Sequence, residues 1–431
     1  MFVFAMTAFL DELTARGLLH QTTDGAAAHL AASPRSAYCG FDPTADSLHV
    51  GHLLPVMALV HLQRAGHRPV ALVGGGTGMI GDPSGKAAER QLLDADTVAA
   101  NARALRGQLE RFLDFDGSAA ARLVDNAEWL APMPLLDFLR DVGKHFSVNV
   151  MLQKESVRQR METGISFTEF TYQLLQAYDF LALHRRYGVT LQVGGSDQFG
   201  NITAGTDLIR RTERVEAHGV TVPLVTTAAG TKFGKTEAGA VWLDPARTSP
   251  YAFYQFWLNA ADADARRWLD GFTLLGSDER AALRAAQDAD PAGRATQRAL
   301  ATDVTRRVHG AAAVAAVEAV SRVLFGGEAP TTLDAEALAM LAREVPSGSA
   351  DVVADGEQAG RLDVFQLLMA VGFADSNGAA RRLLQQGGVS LNKRKLGADE
   401  RFVDLGDVRL AGGYVMIGKG KRDFGLARLA R

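Results

Sequence analysis

The sequence predicts an α/β protein in which a parallel β-sheet with crossover helices is followed by a helical region and a small basic segment. Three observations lead to this prediction. Strand-like and helix-like stretches alternate around a Gly-rich loop in the first half of the chain. Residues 249–343 are rich in Ala and have helical spacing without strand signals, and the last 71 residues carry a net positive charge. A chain of 431 residues also exceeds one typical core, so we expect two or three domains.

The first predicted elements are a strand, a helix, a second strand and a Gly-rich loop. Residues 35–41 predict a strand, residues 48–65 have helical apolar spacing and end before Gly66, and residues 69–73 predict another strand. Five glycines follow within residues 74–81. This order predicts a parallel sheet with crossover helices.

The second half of the sheet is predicted from three further stretches. Residues 165–184 have the spacing of a long helix, residues 189–193 predict a buried strand, and residues 220–225 are a third apolar segment. A polar Gly/Lys loop follows at 229–239, and the Gly, Ser and Asp of residues 345–358 predict a linker. The predicted domains are a sheet domain at 1–235, a helical domain at 236–345, a linker at 346–359 and a small domain at 360–431.

Charge and composition restrict the partners and the compartment. The formal net charge is only -3, but residues 361–431 carry +6, which leaves -9 for the rest and predicts a basic tail domain on an acidic body. The single cysteine, Cys39, excludes an intrachain disulfide and fits a reducing compartment. The first ten residues lack the basic start of a signal peptide, and no apolar run approaches the roughly 20 residues of a membrane helix. We therefore expect a cytoplasmic protein without a membrane partner.

The first candidate site is the motif H-x-G-H, which opens the helix predicted at residues 48–65. His49 and His52 are three residues apart and share one helix face. The N–H groups and partial positive charge of a helix N-terminus attract phosphate, and Gly51 removes a side chain that would block a base or ribose. Two surface histidines on an amphipathic helix would produce the same motif, so it is ambiguous alone.

The second candidate site is the loop K-F-G-K-T at residues 232–236. Lys232 and Lys235, flanking Gly234 and followed by Thr236, can close over a triphosphate and stabilise the charge that develops on pyrophosphate. An ordinary solvated loop would have the same composition, so this motif is also weak alone.

Two other nucleotide-binding motifs fit the sequence poorly. Neither the Lys/Gly loop nor the glycines of residues 74–81 have the spacing of a Walker loop. Residues 76–81 spell G-x-G-x-x-G after a strand, but Asp82-Pro83-Ser84 follows and does not open the helix that a dinucleotide-binding motif needs. The sequence therefore disfavours NAD binding.

The two candidate motifs, 183 residues apart, resemble the signature pair of the class I aminoacyl-tRNA synthetases, and five ordered blocks resemble the tyrosyl branch of that family closely. The blocks are YCGFDPTADSLH at 38–49, GDPSGK at 81–86, QAYDF at 176–180, GGSDQ at 194–198 and KFGKT at 232–236. The resemblance covers nearly the whole chain, including the basic tail.

The resemblance implies a fold and a reaction. The fold would be a Rossmann-like, doubly wound parallel-sheet catalytic domain with a connective insertion, then an α-helical anticodon-side domain and a small α+β RNA-binding domain similar to a small-subunit ribosomal protein. The reaction would activate L-tyrosine with ATP and Mg²⁺, which enter as substrate, and would transfer it to tRNA(Tyr) without a permanent cofactor. The resemblance also implies a homodimer. The sequence has no obvious cage of carboxylates for a metal, so we expect phosphates and water to hold Mg²⁺.

The predicted tyrosine site combines spacing with resemblance. Tyr172, Gln176 and Asp179 lie at i, i+4 and i+7 and share one face of a helix, although each could instead be buried with a structural partner. The resemblance implies that Tyr38 and Asp179 contact the substrate phenol. The remaining implied tyrosine-binding residues are Asp82, Tyr172, Gln176 and Gln192.

The resemblance also implies residues for the nucleotide and for RNA. The implied catalytic residues are Thr44, His49, His52, Lys232 and Lys235, with Thr44 and His49 on the γ-phosphate. The implied ATP-binding residues are Cys39, Gly40, Asp42, Gly51, His52, Gly195, Asp197, Gln198, Lys86, Arg90, Lys232, Lys235 and Thr236. Phe199 replaces a Trp of several relatives, which should change packing beside Gln198. The implied RNA-binding residues are Arg381, Arg382, Lys393, Arg394 and Lys395; an inert basic tail is the alternative.

Three alternative functions share parts of this pattern. A tryptophanyl-tRNA synthetase has the same fold and signature pair, but Asp179 with Tyr38 favours a phenol over an indole. A small-molecule adenylyltransferase keeps H-x-G-H, but the Lys/Gly loop and the basic tail argue against it. A catalytically dead synthetase fold that only binds RNA would need neither motif.

Overall fold

The chain forms two compact units in a computed structural model that describes residues 8–84, 92–161, 164–228, 230, 233–236, 239–420 and 423–430. The first unit runs to Asp244 and also contains Ala260–Leu300. The second unit contains Pro245–Asn259 and Ala301–Arg431. No helix within the described ranges is both long and apolar enough to cross a membrane.

The helices and strands alternate over the first half of the chain and segregate over the second. The strands are β1 (Gln21–Thr22), β2 (Ser36–Phe41), β3 (Arg68–Val73), β4 (Arg122–Asp125), β5 (Val189–Gly195), β6 (His218–Val222), β7 (Lys235–Thr236), β8 (Gly239–Ala240), β9 (Ser347–Ala350), β10 (Arg361–Asp363), β11 (Val389–Leu391), β12 (Arg394–Lys395), β13 (Phe402–Asp404), β14 (Tyr414–Lys419) and β15 (Asp423–Leu429). The helices are α1 (Ala8–Ala15), α2 (Ala26–Ala32), α3 (Leu53–Arg64), α4 (Ala95–Leu109), α5 (Ala127–Leu130), α6 (Leu135–Asp137), α7 (Val148–Leu152), α8 (Glu155–Met161), α9 (Phe167–Tyr187), α10 (Phe199–Glu213), α11 (Pro250–Leu258), α12 (Asp262–Phe272), α13 (Ser277–Ala289), α14 (Ala295–His309), α15 (Ala311–Phe325), α16 (Ala335–Leu341), α17 (Val364–Ala370), α18 (Asn377–Gln385) and α19 (Leu405–Val408).

A six-stranded sheet organises the described part of the first unit. Its strand order is β1-β6-β5-β2-β3-β4; β1 is antiparallel to β6 and the other neighbours are parallel. The chain moves from β2 outward to β3 and β4, then returns to the other side of β2 with β5 and β6. This reversal is the doubly wound arrangement, and ligands bind where the order reverses, at the carboxyl ends of β2 and β5. The predicted α/β fold with a parallel sheet is confirmed.

The first predicted helix begins later than the sequence indicates. Helical spacing extends back to Leu48, but α3 starts at Leu53 because residues Val50–His52 form a 3-10 turn and His49 is extended. The buried residues of α3 include Val56, Met57 and Leu59, so packing against the sheet explains the apolar pattern.

Helix α9 carries one wall of the predicted site and has clear end signals. The Ser166 side chain accepts a hydrogen bond from the Glu169 N–H at the start, and Gly188 ends the helix in a left-handed conformation at φ 64°. Helix α10 packs closely on α9 at Gly205, where a Cβ atom would lie 2.9 Å from the Phe180 ring. Phe180 also contacts Tyr38 of β2, with ring centroids 5.1 Å apart. The two helices therefore hold the sheet residues of the site from one side.

The second unit combines helices with a small sheet. The sheet has the order β12-β11-β14-β15-β9, and its core includes Leu362, Leu367, Val389 and Ile417. Helix α11 packs against α15 and α16 in the same unit. This agrees with the helical region and small α+β domain expected from the sequence, while the predicted domain boundaries themselves stay predictions.

The predicted linker is wrong for Ser347–Ala350, which form strand β9 parallel to β15. The Gly and Ser residues reflect tight packing here rather than flexibility. A Cβ atom at Gly348 would lie 2.1 Å from the backbone oxygen of Ala370, so only glycine lets this strand approach α17.

Candidate active site

The carboxyl edge of the parallel sheet brings the predicted residues together. Strand β2 ends at Phe41 and leads to Asp42, β3 leads to the Gly-rich loop, β4 leads to Asn126, and β5 leads to Asp197 and Gln198. Parallel strands end on the same side, so these side chains converge beside α9.

A buried carboxylate lies at the inner end of the site. Asp179 accepts a hydrogen bond from the Trp129 indole N–H at 2.7 Å and another from the Asn126 amide at 2.9 Å. Asp179 is 2% exposed, and the neighbouring Tyr38 is completely buried. The Tyr38 hydroxyl has no hydrogen-bond partner among the described residues. Because a buried hydroxyl is costly to leave unpaired, this end of the site fits a polar ligand group.

The electrostatics of this end follow from burial. Burial raises the pKa of the Asp179 carboxyl to about 8, although the hydrogen bonds from Asn126 and Trp129 act in the opposite direction. Burial also raises the pKa of the Tyr38 phenol well above its ordinary value, and the charge of Asp179 adds to this. Tyr38 is therefore a neutral phenol at physiological pH.

The sequence interpretation missed Asn126 and Trp129. Asn126 also accepts a hydrogen bond from the Gly76 N–H at 2.7 Å and donates one to the Thr77 hydroxyl at 2.9 Å. It thus joins the Gly-rich loop to Asp179. The available signal was its position directly after a strand, but β4 was not predicted.

A polar network forms a second part of the site. The Gln198 amide donates to the Asp82 carboxylate at 2.8 Å, and the other Asp82 oxygen accepts from the Ser84 N–H at 2.9 Å. Gln176 donates to the Gln198 oxygen at 3.3 Å and accepts from the Asn201 amide at 3.0 Å. Asn201 is a further member that the sequence interpretation missed. The structure therefore brings Asp82, Gln176 and Gln198 together.

Tyr172 and Asp42 were assigned to different ligands by resemblance but are bonded to each other. The Tyr172 hydroxyl donates to Asp42 at 2.8 Å, and the Thr77 hydroxyl donates to the second Asp42 oxygen at 2.7 Å. A Cβ atom at Gly74 would lie 2.1 Å from that same oxygen, which explains a glycine in the loop. Asp42 therefore links β2, the Gly-rich loop and α9.

The remaining predicted residues along β2 and β5 differ in exposure. Gln192 of β5 is buried, pairs in register with Tyr38, and its side-chain oxygen has no partner among the described residues. Cys39 is buried, which raises the pKa of its thiol to about 12 and makes it inert as a nucleophile. Gly40 and Thr44 are exposed near the end of β2. At Gly195 a Cβ atom would lie 2.5 Å from an Asp197 carboxylate oxygen, so glycine allows that carboxylate its position.

The H-x-G-H motif forms a compact turn. The imidazoles of His49 and His52 stack with centroids 4.0 Å apart. The Gly51 N–H donates to Nδ1 of His49 at 3.0 Å, and the His49 N–H donates to Nδ1 of His52 at 3.1 Å. A neutral imidazole whose Nδ1 accepts carries its proton on Nε2, so both rings have a donor nitrogen. A Cβ atom at Gly51 would lie 2.7 Å from the His49 ring, so glycine is needed for this turn as well as for ligand access.

The Lys/Gly loop lies against the same turn. At Gly234, whose φ is 77°, a Cβ atom would lie 2.7 Å from Val50 and 3.6 Å from the Gly51 nitrogen. Phe233 is buried and stacks on Phe272 of α12 with centroids 5.2 Å apart. Lys232, Lys86 and Arg90 lie outside the described residues, and Lys235 and Thr236 are described only as the backbone of β7. The structure therefore brings the two motifs together through their backbones.

Comparisons with known proteins agree with this geometry. The family described as "tRNA synthetases class I (W and Y)" matches residues 31–326. A tyrosine–tRNA ligase of Anaeromyxobacter dehalogenans (strain 2CP-1) is 54% identical over 424 residues, which cover 98% of this chain and 100% of that relative. The chain belongs to the tyrosyl-tRNA synthetase family. A tyrosine–tRNA ligase of Mycobacterium tuberculosis (strain H37Rv) is 50% identical over 418 residues, 96% of this synthetase and 97% of that relative.

Solved structures agree with the fold of the synthetase. A C-terminally truncated mitochondrial tyrosyl-tRNA synthetase of Aspergillus nidulans superposes with a TM-score of 0.67 at 32% identity, covering 74% of this chain and 94% of that one. A tryptophanyl-tRNA synthetase of Encephalitozoon cuniculi has a TM-score of 0.54 at 13% identity, covering 73% and 91%. The latter likeness concerns the fold alone.

The basic residues of the synthetase's second unit have different surroundings. Arg381, Arg382 and Lys395 are exposed. Arg394 forms an ion pair with Glu400 at 2.7 Å, and the Lys393 ammonium donates to the backbone oxygen of Val323 in the last turn of α15. Lys393 thus has a structural partner that the sequence interpretation did not anticipate.

Metal binding was tested on the side chains of the synthetase. Within the described ranges, no group of three or more His, Cys, Asp or Glu residues is arranged to hold a metal ion.

Proposed function

We propose that this enzyme ligates L-tyrosine to tRNA(Tyr) in the cytoplasm in two steps, through a tyrosyl-adenylate. The observation that carries the proposal is the buried Asp179 carboxyl, oriented by Asn126 and Trp129, beside the unpartnered Tyr38 hydroxyl. A substrate phenol would complete both groups. Phenylalanine would leave them unpaired in a buried site, and tyrosyl-tRNA synthetases are the standard example of this kind of rejection.

The other end of the amino acid would meet the polar network. Asp82, Gln176 and Tyr172 would bind the ammonium group, with Gln192 also lining the tyrosine site. The carboxylate of Asp82 supports this role because it is already oriented by Gln198 and by the Ser84 N–H. Asp42 supports it from behind, since it accepts the Tyr172 hydroxyl hydrogen bond.

In the first step, a carboxylate oxygen of tyrosine attacks the α-phosphorus of ATP, a P–O bond forms, and the bond to pyrophosphate breaks. The attacking carboxylate is already ionised, so no general base is needed and catalysis consists of positioning and charge stabilisation. Thr44 and His49 would contact the γ-phosphate, and Lys232 and Lys235 would close over the pyrophosphate. Candidates for further pyrophosphate contacts are Lys86 and Arg90, with Thr236 beside the lysines.

The nucleoside would lie at the carboxyl ends of β2 and β5. Cys39, Gly40, Gly51 and His52 would line the adenosine, and Asp197 would accept the ribose hydroxyls next to Gly195 and Gln198. Mg²⁺ would arrive with the phosphates of ATP and would supply charge neutralisation there. In the second step the tRNA 3′ hydroxyl attacks the tyrosyl carbonyl and AMP leaves. Arg381, Arg382 and Lys395, together with Arg394, would contact the RNA backbone.

The first experiment is ATP–pyrophosphate exchange with each of the twenty amino acids, without tRNA. We expect exchange with tyrosine alone. Exchange with tryptophan would contradict the phenol pocket, and the absence of exchange with any amino acid would contradict the proposed reaction. His49→Ala should slow exchange while tyrosine binding is nearly unchanged; an equal loss in both would contradict its role on the phosphates.

We also propose that two copies of the chain associate through the connective insertion between β4 and β5. Large apolar side chains are exposed there, including Leu135 (70%), Leu136 (76%) and Phe167 (77%), with Leu139, Val148 and Val150 nearby in the sequence. Exposed apolar residues concentrated in about 30 residues are typical of an interaction surface, and two-fold dimers are the commonest homo-oligomers.

Sedimentation equilibrium tests this association. Leu136→Glu and Phe167→Glu should each shift the enzyme toward the monomer. Phe325→Glu changes a residue of α15 that is equally exposed at 78% and should leave the dimer intact. A wild-type monomer, or dimers of all three variants, would contradict the proposed surface.

A further inference from the structure

The two signature motifs are joined by a short extended segment, residues 241–243, which follows strand β8. The Val50 N–H donates to the Val241 oxygen at 2.9 Å, and the Leu243 N–H donates to the Leu48 oxygen at 2.8 Å. At the other end, the Val241 N–H donates to the Gly234 oxygen at 3.0 Å, directly after the β7–β8 hairpin. We refer to residues 241–243 as the strut.

The strut places Trp242 opposite His49. The two residues form an antiparallel bridge, and the hydrogen bonds on either side belong to their neighbours. Such a non-hydrogen-bonded pair brings its two side chains closest, on the same side of the ladder. The Trp242 indole meets the His49 imidazole edge-on, with centroids 5.9 Å apart and planes at 66°.

His49 is therefore held from two sides. Its ring stacks on His52 at 4.0 Å and meets Trp242 at 5.9 Å, while Nδ1 accepts the Gly51 N–H. These contacts fix the ring plane and direct Nε2, the donor nitrogen, outward from the turn. A phosphate contact that develops in the transition state needs such a fixed donor, because reorientation during the reaction would reduce its benefit.

We propose that Trp242 is a positioning residue for adenylate formation, which acts by holding the His49 imidazole in the orientation that contacts the phosphates. This inference rests on the proposed function, since it assumes that His49 acts on ATP. It also accounts for an aromatic residue in the strut. An aliphatic side chain would keep the backbone bridge but would lose the directional edge-to-face contact.

The test is a double-mutant cycle in ATP–pyrophosphate exchange with tyrosine, using active-site titration to count competent enzyme. Trp242→Leu should lower kcat about tenfold, the scale expected for a small misplacement, and should leave the equilibrium affinity for tyrosine unchanged. Trp242→Phe keeps an aromatic edge and should remain within about twofold of wild type. The double variant Trp242→Leu/His49→Ala should be no slower than His49→Ala alone, because the indole would have nothing left to position.

A stability control separates positioning from simple destabilisation. Leu105 is a buried residue of α4 outside the strut, so Leu105→Ala should lower the unfolding midpoint while kcat per active site is retained. Losses from Trp242→Leu and His49→Ala that multiply in the double variant would overturn the proposal, as would weaker tyrosine binding with unchanged kcat. Absence of exchange in the wild-type enzyme would instead contradict the proposed function, so the two failures are distinguishable.

Discussion

Individual buried polar residues define the chemistry of this site. Asn126 uses both ends of its amide, accepting from the Gly76 N–H and donating to Thr77 and Asp179. Buried polar groups are costly unless paired, so a residue that satisfies three partners holds them in a unique arrangement. The orientation of Asp179 therefore depends on a side chain 53 residues away in the sequence.

Removing the Asn126 amide should weaken tyrosine binding. Asn126→Ala leaves the Gly76 N–H and one Asp179 oxygen without their partner, and we expect about a tenfold to hundredfold loss of tyrosine affinity by equilibrium dialysis. Asn101→Ala is the matched control, since Asn101 is a buried asparagine of α4 that donates to the Pro43 oxygen. Equal loss in both variants would indicate a general loss of structure.

The ionisation of Asp179 should appear in the stability of the ligand-free enzyme. Its folded-state pKa of about 8 lies above the ordinary value of 3.8, so the neutral carboxyl favours the folded state. This contribution is fully present below about pH 4 and is lost as the pH rises through about 8. Asp179→Asn cannot ionise, so the free energy of unfolding of the wild type should fall relative to the variant over this interval. Urea unfolding of both proteins at pH 5 and pH 8 measures the difference, and a constant difference would contradict the raised pKa.

Elements meet in this protein where glycine permits close approach. Gly205 lets α10 reach α9, and Gly348 lets β9 approach α17. A β9 strand of only four residues needs its neighbours, since short strands are not stable alone. The small sheet of the second unit therefore depends on one contact between a glycine and a carbonyl.

A methyl group at this contact should disrupt the edge of the small sheet. Gly348→Ala would place Cβ 2.1 Å from the Ala370 oxygen, and we expect a destabilisation of about 1–3 kcal/mol in denaturant unfolding. Gly406→Ala is the control, because a Cβ atom there meets nothing within 4 Å. Tyrosine-dependent pyrophosphate exchange should be unchanged in both, since neither residue lies in the first unit. Equal stability of the two variants would contradict the packing explanation.

The whole molecule separates activation from RNA binding. All described residues of the tyrosine and ATP sites lie in the first unit, and the basic tail lies in the second. Contacts with phosphates make RNA binding dependent on salt, whereas the adenylate pocket has no such requirement. The two reactions should therefore respond differently to changes in the tail.

Truncation should separate the two steps. A chain that ends after Gln358 should retain tyrosyl-adenylate formation and lose most tRNA charging. It also leaves β9 without its β15 partner, and an unpaired strand edge promotes aggregation, so a chain that ends at Val345 should be better behaved. Single-turnover charging at two salt concentrations measures the effect. A truncated enzyme that charges tRNA at the wild-type rate would contradict the RNA-binding role.

The sequence by itself determined the parallel sheet, the long helix α9 and the meeting of the two signature motifs, because periodicity and ordered motifs depend on residues close together in the chain. Strand β4 escaped prediction because four residues carry too little periodic signal, and β9 because its Gly and Ser residues are typical of a linker. Only the tertiary structure decided that Asn126 and Trp129 orient Asp179, that Tyr172 is bonded to Asp42, and that Trp242 lies against His49. These partners are 50 to 193 residues apart, and the order and register of the strands bring them together.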